Sequence, residues 1–376
     1  MKVPFIDLRR EYKFFKKEID SAIKRVIENG NFILGDEVKA FEKEWSNYLG
    51  IKHTITVASG TDALFLALKA LDIGKGDEVI LPSYTFISTA FTVTNTGAKP
   101  IFVDSQEDSP LIDVNKILGK ITKRTKAIIP VHMFGQPAYI EDIMKISKEN
   151  KIHVIEDASQ AHGAEYKNKK VGTFGDIGCF SFYPTKNLGA YGDCGAIVTR
   201  SDKIAEKLFS LRNYGQLRKY FFSRFGYNSR MDEIQAAILR AKLKHLDALN
   251  NGRRKVADRY DEEFEGKLKI LKKNNQAKSV YHIYPIFNKK RNDLRNYLEN
   301  NGIPTLIHYP FPIHLQEAYG NLLINRKHLY NSEAFASKEL SLPIGPFMKD
   351  SEIEFVIKNV NNFFLRKEYS QVIIEQ

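Results

Sequence analysis

The chain has 376 residues, with 57 lysines and arginines against 45 aspartates and glutamates, a formal net charge of +12, 43% hydrophobic and 27% charged residues. That is the composition of an ordinary globular protein, long enough for a large α/β domain with a smaller partner. No run of about 18 apolar residues suggests a membrane span, and the start Met1-Lys2-Val3-Pro4-Phe5-Ile6-Asp7 lacks the apolar core of a signal peptide. The two cysteines, Cys179 and Cys194, have neither CxxC spacing nor a histidine partner at metal-site spacing. A disulfide framework and a metal site are therefore not expected, and a reducing cytoplasm is the simplest home.

The positive charge is scattered in runs such as Arg253-Arg254-Lys255, Lys272-Lys273 and Lys289-Lys290-Arg291. Such runs read first as solvated surface, then as attraction for a phosphorylated small substrate. Nucleic-acid binding comes last, because no zinc-finger or RRM-like pattern accompanies them.

In chain order, an arm precedes a helix from Glu18 to Asn29, with Ile19, Ile23, Val26 and Ile27 at helical spacing and Gly30 as its stop. A second helix follows from Gly35 to Tyr48. Strands and helices then alternate: strand 53–58, helix 61–71, strand 78–81 ended by Pro82, helix 85–96 closed by Gly97, and strand 100–103. Next come strand 127–131, helix 140–149, strand 152–157, and strands 179–182 and 196–199. Short apolar strands between helices predict a mainly parallel sheet covered on both faces, with ligands beyond the carboxyl ends of the strands. A long helical stretch from Met231 to Phe264 is expected to break near Asn250-Asn251-Gly252. Strand 279–286, helix 291–300 stopped by Gly302, strand 305–308 and helix 351–365 complete a smaller α+β domain. The expected division is an arm and large domain over residues 1–245 and a small domain over residues 246–376.

Four features lie at or beyond strand ends. Ala58-Ser59-Gly60-Thr61-Asp62-Ala63 is a strand-to-helix turn that can cradle an anion, although Gly-Thr is also an ordinary turn and cap. In Glu156-Asp157-Ala158-Ser159-Gln160, a carboxylate ends an apolar strand and needs a partner; a cationic pyridinium would serve, and so would a helix cap. The run from Ser181 to Gly195 sets Lys186 in a Gly/Tyr-rich segment of low charge, where a desolvated amine can form an imine with an aldehyde. Phe225-Gly-Tyr-Asn228-Ser-Arg230 opens the long helix and offers an amide and a guanidinium to anions, or simply caps it.

Taken together, in order and spacing, these segments resemble the DegT/DnrJ/StrS sugar aminotransferases, of pyridoxal 5'-phosphate (PLP) fold type I. The resemblance runs from Val3-Pro4-Phe5-Ile6-Asp7-Leu8 through the four features to His308-Tyr309-Pro310-Phe311-Pro312-Ile313-His314-Leu315-Gln316. It implies PLP held by Lys186 as Schiff-base lysine and proton shuttle, with Asp157 as partner of the ring nitrogen and Gln160 beside the ring hydroxyl. It further implies Gly60, Thr61 and Ser181 as phosphate ligands and Phe86 stacked on the ring, where without the resemblance Phe86 reads as a core residue on a helix. Asn228 would reach the neighbouring subunit's cofactor, which implies an obligate homodimer.

The resemblance also implies two half-reactions, from glutamate to a nucleotide-linked keto sugar. The runs Thr185–Asp193, Asn213-Tyr214-Gly215, Lys219-Tyr220 and Asn228-Ser229-Arg230 are similar to the branch that aminates C-3. This points to a dTDP-3-keto-6-deoxyhexose, with C-4 amination or a UDP-linked sugar as alternatives. Tyr183, Lys219, Tyr220, Arg230, His308 and Tyr309 are the candidate substrate contacts, and Lys219 and Arg230 read equally as surface or interface pairing. One departure is Cys194, where the family usually has glycine; a left-handed backbone there would be strained, whereas a negative φ would make the change harmless. Of the rival readings, a sugar dehydratase would replace Lys186 with histidine, and a DNA-binding regulator on the same scaffold would not need Lys186 and Asp157 together.

Overall fold

The computed structural model describes residues 1–320 and 329–365. Helix α1, Leu8–Asn29, begins ten residues earlier than the apolar spacing suggests, because Asp7 caps it: its carboxylate accepts from the Arg10 N–H at 2.8 Å. Phe15, Ile19, Ala22 and Val26 form the buried stripe, and Gly30 ends the helix in the left-handed region. Helix α2 (Asp36–Leu49) follows.

Strands β1 (His53–Val57), β2 (Glu78–Pro82), β3 (Lys99–Val103), β4 (Thr125–Ile128) and β5 (His153–Asp157) alternate with helices α3 (Gly60–Ala70), α4 (Ser88–Asn95) and α5 (Ile140–Asn150). After a hairpin of β6 (Glu165–Tyr166) and β7 (Lys169–Lys170) come β8 (Ile177–Ser181) and β9 (Gly195–Thr199). The central sheet has the order β1-β9-β8-β5-β4-β2-β3. It is parallel except for β9, which pairs antiparallel with both neighbours. One buried cluster lies on each face: Trp45, Ile80, Ile128, Val154 and Phe180 on one side, and Leu66, Val79, Leu81, Ile155 and Ile197 on the other. This is the mainly parallel sheet, covered on both faces, that the sequence predicts.

Helix α6 (Asp202–Leu211), absent from the sequence reading, is capped by Ser201 and leads to a hairpin of β10 (Gln216–Arg218) and β11 (Phe221–Phe222). The long helical stretch breaks at Lys244 and His245, between α7 (Glu233–Leu243) and α8 (Leu246–Phe264), not at Asn250-Asn251-Gly252. Those polar residues stay helical because Asn250 is buried and bonded on both sides, to Asn187 and to the His162 carbonyl. Arg253, read from sequence as surface charge, is also buried, and its guanidinium meets the carbonyls of Tyr281, His282 and Ile344 at 3.3–3.4 Å.

Beyond α8 lie short strands β12 (Lys269–Ile270) and β13 (Ala277–Lys278), then β14 (Tyr284–Phe287), α9 (Arg291–Asn300), α10 (Tyr330–Lys338), β15 (Glu339–Leu342) and α11 (Asp350–Phe364). The expected strand at 279–286 starts late, at Tyr284, and the expected strand at 305–308 is only an isolated bridge, Leu306 to Ser341. β12, β14 and β15 form an antiparallel sheet over a third cluster that includes Tyr260, Tyr284, Leu342 and Val356 and takes in Val3 of the arm. Among the described residues no helix is long and apolar enough to cross a membrane.

Candidate active site

Because β1, β2, β4, β5 and β8 run the same way, their carboxyl ends open on one edge of the sheet. Behind β1, the Ser59 hydroxyl accepts from the Asp62 N–H at 3.0 Å and starts α3. The first N–H groups of a helix have no partner inside it, so Gly60 and Thr61 offer theirs to an anion. A Cβ at Gly60 would stand 2.5 Å from the Ser181 Cβ, and one at Gly195 2.5 Å from the Ser59 carbonyl. Only hydrogens at these two positions let the end of β8 and the start of β9 close on the turn. Gly60, Thr61 and Ser181 thus form one cradle, with the exposed Thr61 hydroxyl 3.0 Å from Ser88.

Asp157 ends β5 and is buried. Its Oδ2 accepts from the Thr89 hydroxyl at 2.9 Å and its Oδ1 from the Ser159 N–H at 3.2 Å. The preceding Glu156 faces the other way and accepts from Gly172, Phe174 and Gly175 N–H and from His132, which fixes the strand end. Gln160 is held by the Phe134 N–H at 2.7 Å and donates to the Tyr309 hydroxyl at 3.2 Å.

Lys186 sits on the loop after β8, whose backbone closes through Lys186 N–H to the Tyr183 carbonyl and Ala190 N–H to the Phe182 carbonyl, both at 2.8 Å. Its neighbour Asn187 anchors the loop: the amide donates to Asn250 and to the Val280 carbonyl at 2.8 Å, and its oxygen meets His282 Nδ1 at 3.1 Å. Burial lowers the Lys186 amine to about 8, against the opposing pull of Asp157. His308 is lowered to about 4, first by burial and then by the Lys186 charge, and His282 is lowered for the same two leading reasons. Lys186, Asp157, His282 and His308 therefore share one electrostatic neighbourhood.

Phe86 lies outside α4 and is 51% exposed, its ring 5.6 Å from that of Tyr309. The core-helix reading of Phe86 is thereby excluded, since a loop presents it at the opening. Tyr183 is half exposed beside Lys186. The structure does not bring Lys219, Tyr220 and Asn228 into this group. Lys219 and Tyr220 lie on the turn of the β10–β11 hairpin, where Tyr220 is 77% exposed, and exposed Asn228 forms a bridge with Asn213. Arg230 pairs with Asn213 Oδ1 at 3.2 Å and lies over the Tyr214 ring. Cys194 has no left-handed backbone and is buried in the core, so cysteine fits without strain. The sequence reading missed Thr89, Asn187 and Asn250. Thr89 lies four positions after Thr85, but nothing local marks it as facing a carboxylate in another strand.

The family model of the DegT/DnrJ/EryC1/StrS aminotransferases matches residues 14–361. The chain belongs to that family.

A dTDP-3-amino-3,6-dideoxy-alpha-D-galactopyranose transaminase of Aneurinibacillus thermoaerophilus is 45% identical over 362 residues, 96% of this chain and 99% of the relative. A UDP-N-acetyl-3-dehydro-alpha-D-glucosamine 3-aminotransferase of Acidithiobacillus ferrooxidans is 42% identical over 352 residues, 93% and 95% of the two chains. The crystal structure of Streptomyces venezuelae DesV with a ketimine intermediate superposes with a TM-score of 0.95 at 42% identity, covering 97% of this chain and 99% of that one. This DegT/DnrJ/EryC1/StrS member is accordingly a PLP-dependent nucleotide-sugar aminotransferase. The residues present fit the cofactor: a helix N-terminus whose glycine lets Ser181 approach closely, a hydrogen-bonded buried carboxylate, and an amine of lowered basicity that feels its charge.

Proposed function

We propose that the enzyme moves an amino group from glutamate to C-3 of a dTDP-linked 3-keto-6-deoxyhexose, giving a dTDP-3-amino-3,6-dideoxyhexose. The observation that carries the chemistry is Lys186 on the closed loop after β8, its amine lowered to about 8 by desolvation against the opposing pull of Asp157. PLP, when bound, supplies an aldehyde for the amine and a ring that accepts electrons. Asp157, oriented by Thr89 and the Ser159 N–H, would keep the ring nitrogen protonated. Gln160 would sit at the ring hydroxyl, Phe86 would pack on the ring, and Gly60, Thr61 and Ser181 would hold the phosphate. The Lys186 amine would take up and return the one proton that the amino transfer moves.

Tyr183, His308 and Tyr309 contact the sugar. Lys219, Tyr220 and Arg230 contact the diphosphate, and Asn228 reaches the phosphate of the other subunit's cofactor in a cytoplasmic homodimer. Exposure of the hairpin that carries Lys219 and Tyr220 supports this reading, because those side chains serve no site in their own chain among the described residues. In the same reading residues 1–245 form the arm and cofactor domain and residues 246–376 the small domain. The dTDP assignment rests on the A. thermoaerophilus relative. A UDP-linked keto sugar is the second reading, favoured by the A. ferrooxidans relative. Incubation with glutamate and a panel of dTDP- and UDP-linked 3-keto and 4-keto sugars, followed by NMR location of the new C–N bond, tests both. Nitrogen at C-3 of the dTDP sugar supports the proposal, and nitrogen only at C-4 or only on UDP sugars overturns it.

A further inference from the structure

The segment carrying His308 and Tyr309 is pinned to the sheet edge by β2's successors. The Tyr84 hydroxyl donates to the His308 carbonyl at 2.6 Å and accepts from the Tyr309 N–H at 3.1 Å, while Ile313 N–H reaches the Ser83 carbonyl at 2.8 Å. Its other support is β15. Glu339 and Ser341 are two residues apart on that strand, project to the same face, and are fully buried. One carboxylate oxygen of Glu339, Oε2, accepts from the His308 backbone N–H at 2.6 Å. The other, Oε1, is bonded to the Ser341 hydroxyl, and that hydroxyl is 2.8 Å from His308 Nδ1. A buried carboxyl, a buried hydroxyl and an imidazole of the site are thus joined in one unbranched chain.

We propose that Glu339 and Ser341 form a buried proton relay that sets which ring nitrogen of His308 carries its hydrogen. With Glu339 ionised, Ser341 donates to Oε1 and accepts from His308 Nδ1–H, so Nε2 is left as an acceptor. When Nε2 takes up a proton from the site, the Nδ1 hydrogen passes to Ser341 and the Ser341 hydrogen passes to Oε1. The ring remains neutral, Nε2 becomes a donor, and one proton has been stored on Glu339. Oε2 keeps the backbone bond in both states, so the segment does not move. The two are positioning residues: they touch no reacting atom and act through His308.

The surroundings favour this exchange. Burial pushes the Glu339 carboxyl up to about 8, opposed by Ser341, the His308 N–H and Arg291. His308, at about 4, stays uncharged across that range. The other ionisable groups facing the relay are Arg291 of α9, which donates to the carbonyls of Ala336 and Glu339, the Tyr84 and Tyr309 phenols, both raised by burial, and His282, which burial holds uncharged beside His308. Lys186 beyond His308 is lowered to about 8, but holds the cofactor in the resting enzyme.

The role of His308 toward the sugar rests on the function proposed above; the relay itself does not, and NMR separates the two. Full-length holoenzyme labelled with ¹⁵N-histidine is titrated from about pH 6 to about pH 10 with long-range ¹H–¹⁵N spectra, and the His308 signals are identified by their loss in His308→Gln. The relay requires the Nε2–H form at low pH and the Nδ1–H form at high pH, with a midpoint near 8. Glu339→Gln must hold the Nε2–H form throughout, because its amide oxygen has to face the His308 N–H and its NH2 therefore donates to Ser341. Ser341→Ala must abolish the pH dependence and raise the sugar KM about threefold to tenfold with a smaller change in kcat; Ser341→Thr must restore both. A His308 tautomer that ignores pH in the wild type, or a transition that survives Ser341→Ala with the same midpoint, overturns the relay even if transamination is confirmed. A transition without any sugar turnover leaves the relay standing and removes the function instead.

Discussion

The Thr89 hydroxyl donates to Asp157 Oδ2 across 2.9 Å, with both residues buried and a second threonine, Thr85, 3.2 Å behind. A helix that packs beside the sheet thus orients the carboxylate proposed as the partner of the cofactor ring. Thr89→Val keeps the shape and removes the donor, leaving a buried carboxylate oxygen without its partner, at a cost of about 1–3 kcal/mol. PLP affinity, measured by absorbance titration of the apoprotein, should fall about tenfold, and Thr89→Ser should recover most of it. Unchanged affinity in the valine variant would show that the bond is idle.

Asn250 ties α8 to the lysine loop through Asn187. Asn250→Ala leaves the Asn187 amide and the His162 carbonyl each short of a partner, so thermal unfolding should reveal a loss of about 2 kcal/mol. Because the bond lies next to Lys186, kcat should fall by more than the sugar KM rises. A change in stability alone, with unaltered kcat, would detach this helix from catalysis.

The lowered basicity of Lys186 has a direction in pH. In the proposed reading the uncharged amine is the nucleophile, and its fraction grows as pH rises toward and past the folded value of about 8. Cofactor capture by apoprotein, followed by stopped-flow absorbance, should accelerate with pH and level off above about 8 rather than above the ordinary lysine value near 10.4. The same shift means that the folded chain binds fewer protons than the unfolded chain between these values, so stability gains with pH there, and Lys186→Met should lack that gain. Capture that keeps accelerating to pH 10 would contradict the desolvation of the amine.

Gly60→Ala inserts a methyl 2.5 Å from the Ser181 Cβ, a distance no side chain tolerates. The turn must open, and PLP affinity should drop about tenfold or more while the fold persists with a loss of about 1–3 kcal/mol. By contrast, Cys194→Gly removes a buried thiol from a backbone with no need for glycine and should cost about 1–2 kcal/mol in a denaturation midpoint without weakening the cofactor. A stabilised Cys194→Gly protein would reverse that account.

If Asn228 serves the other subunit, Lys186→Ala and Asn228→Ala enzymes are each impaired alone yet complement when co-refolded. Half of the random dimers are mixed and carry one intact site, so activity should return to about a quarter of wild type. No recovery above the sum of the two variants would place Asn228 elsewhere.

Much of this was legible in the primary structure. Strand ends announced themselves where apolar runs met Ser59 and Asp157, whereas the strand expected to run to Phe182 stops at Ser181, and the close approach of Gly60 to Ser181 shows only in the fold. Asn250-Asn251-Gly252 misled, since local propensity favours a break while the buried bonds of Asn250 keep the helix intact. Arg253 misled for the same reason: its carbonyl partners come from segments 28 to 91 residues away. Thr89, Glu339 and Ser341 gave no local signal, because each acquires meaning only through a residue 68, 31 or 33 positions distant.

The most direct measurement is reduction of the PLP-loaded protein with borohydride, followed by proteolysis and mass mapping. A stable pyridoxyl mass addition is expected on the peptide containing Lys186, and its loss in Lys186→Ala. An adduct on another lysine, or none at all in protein that has bound PLP, would contradict it.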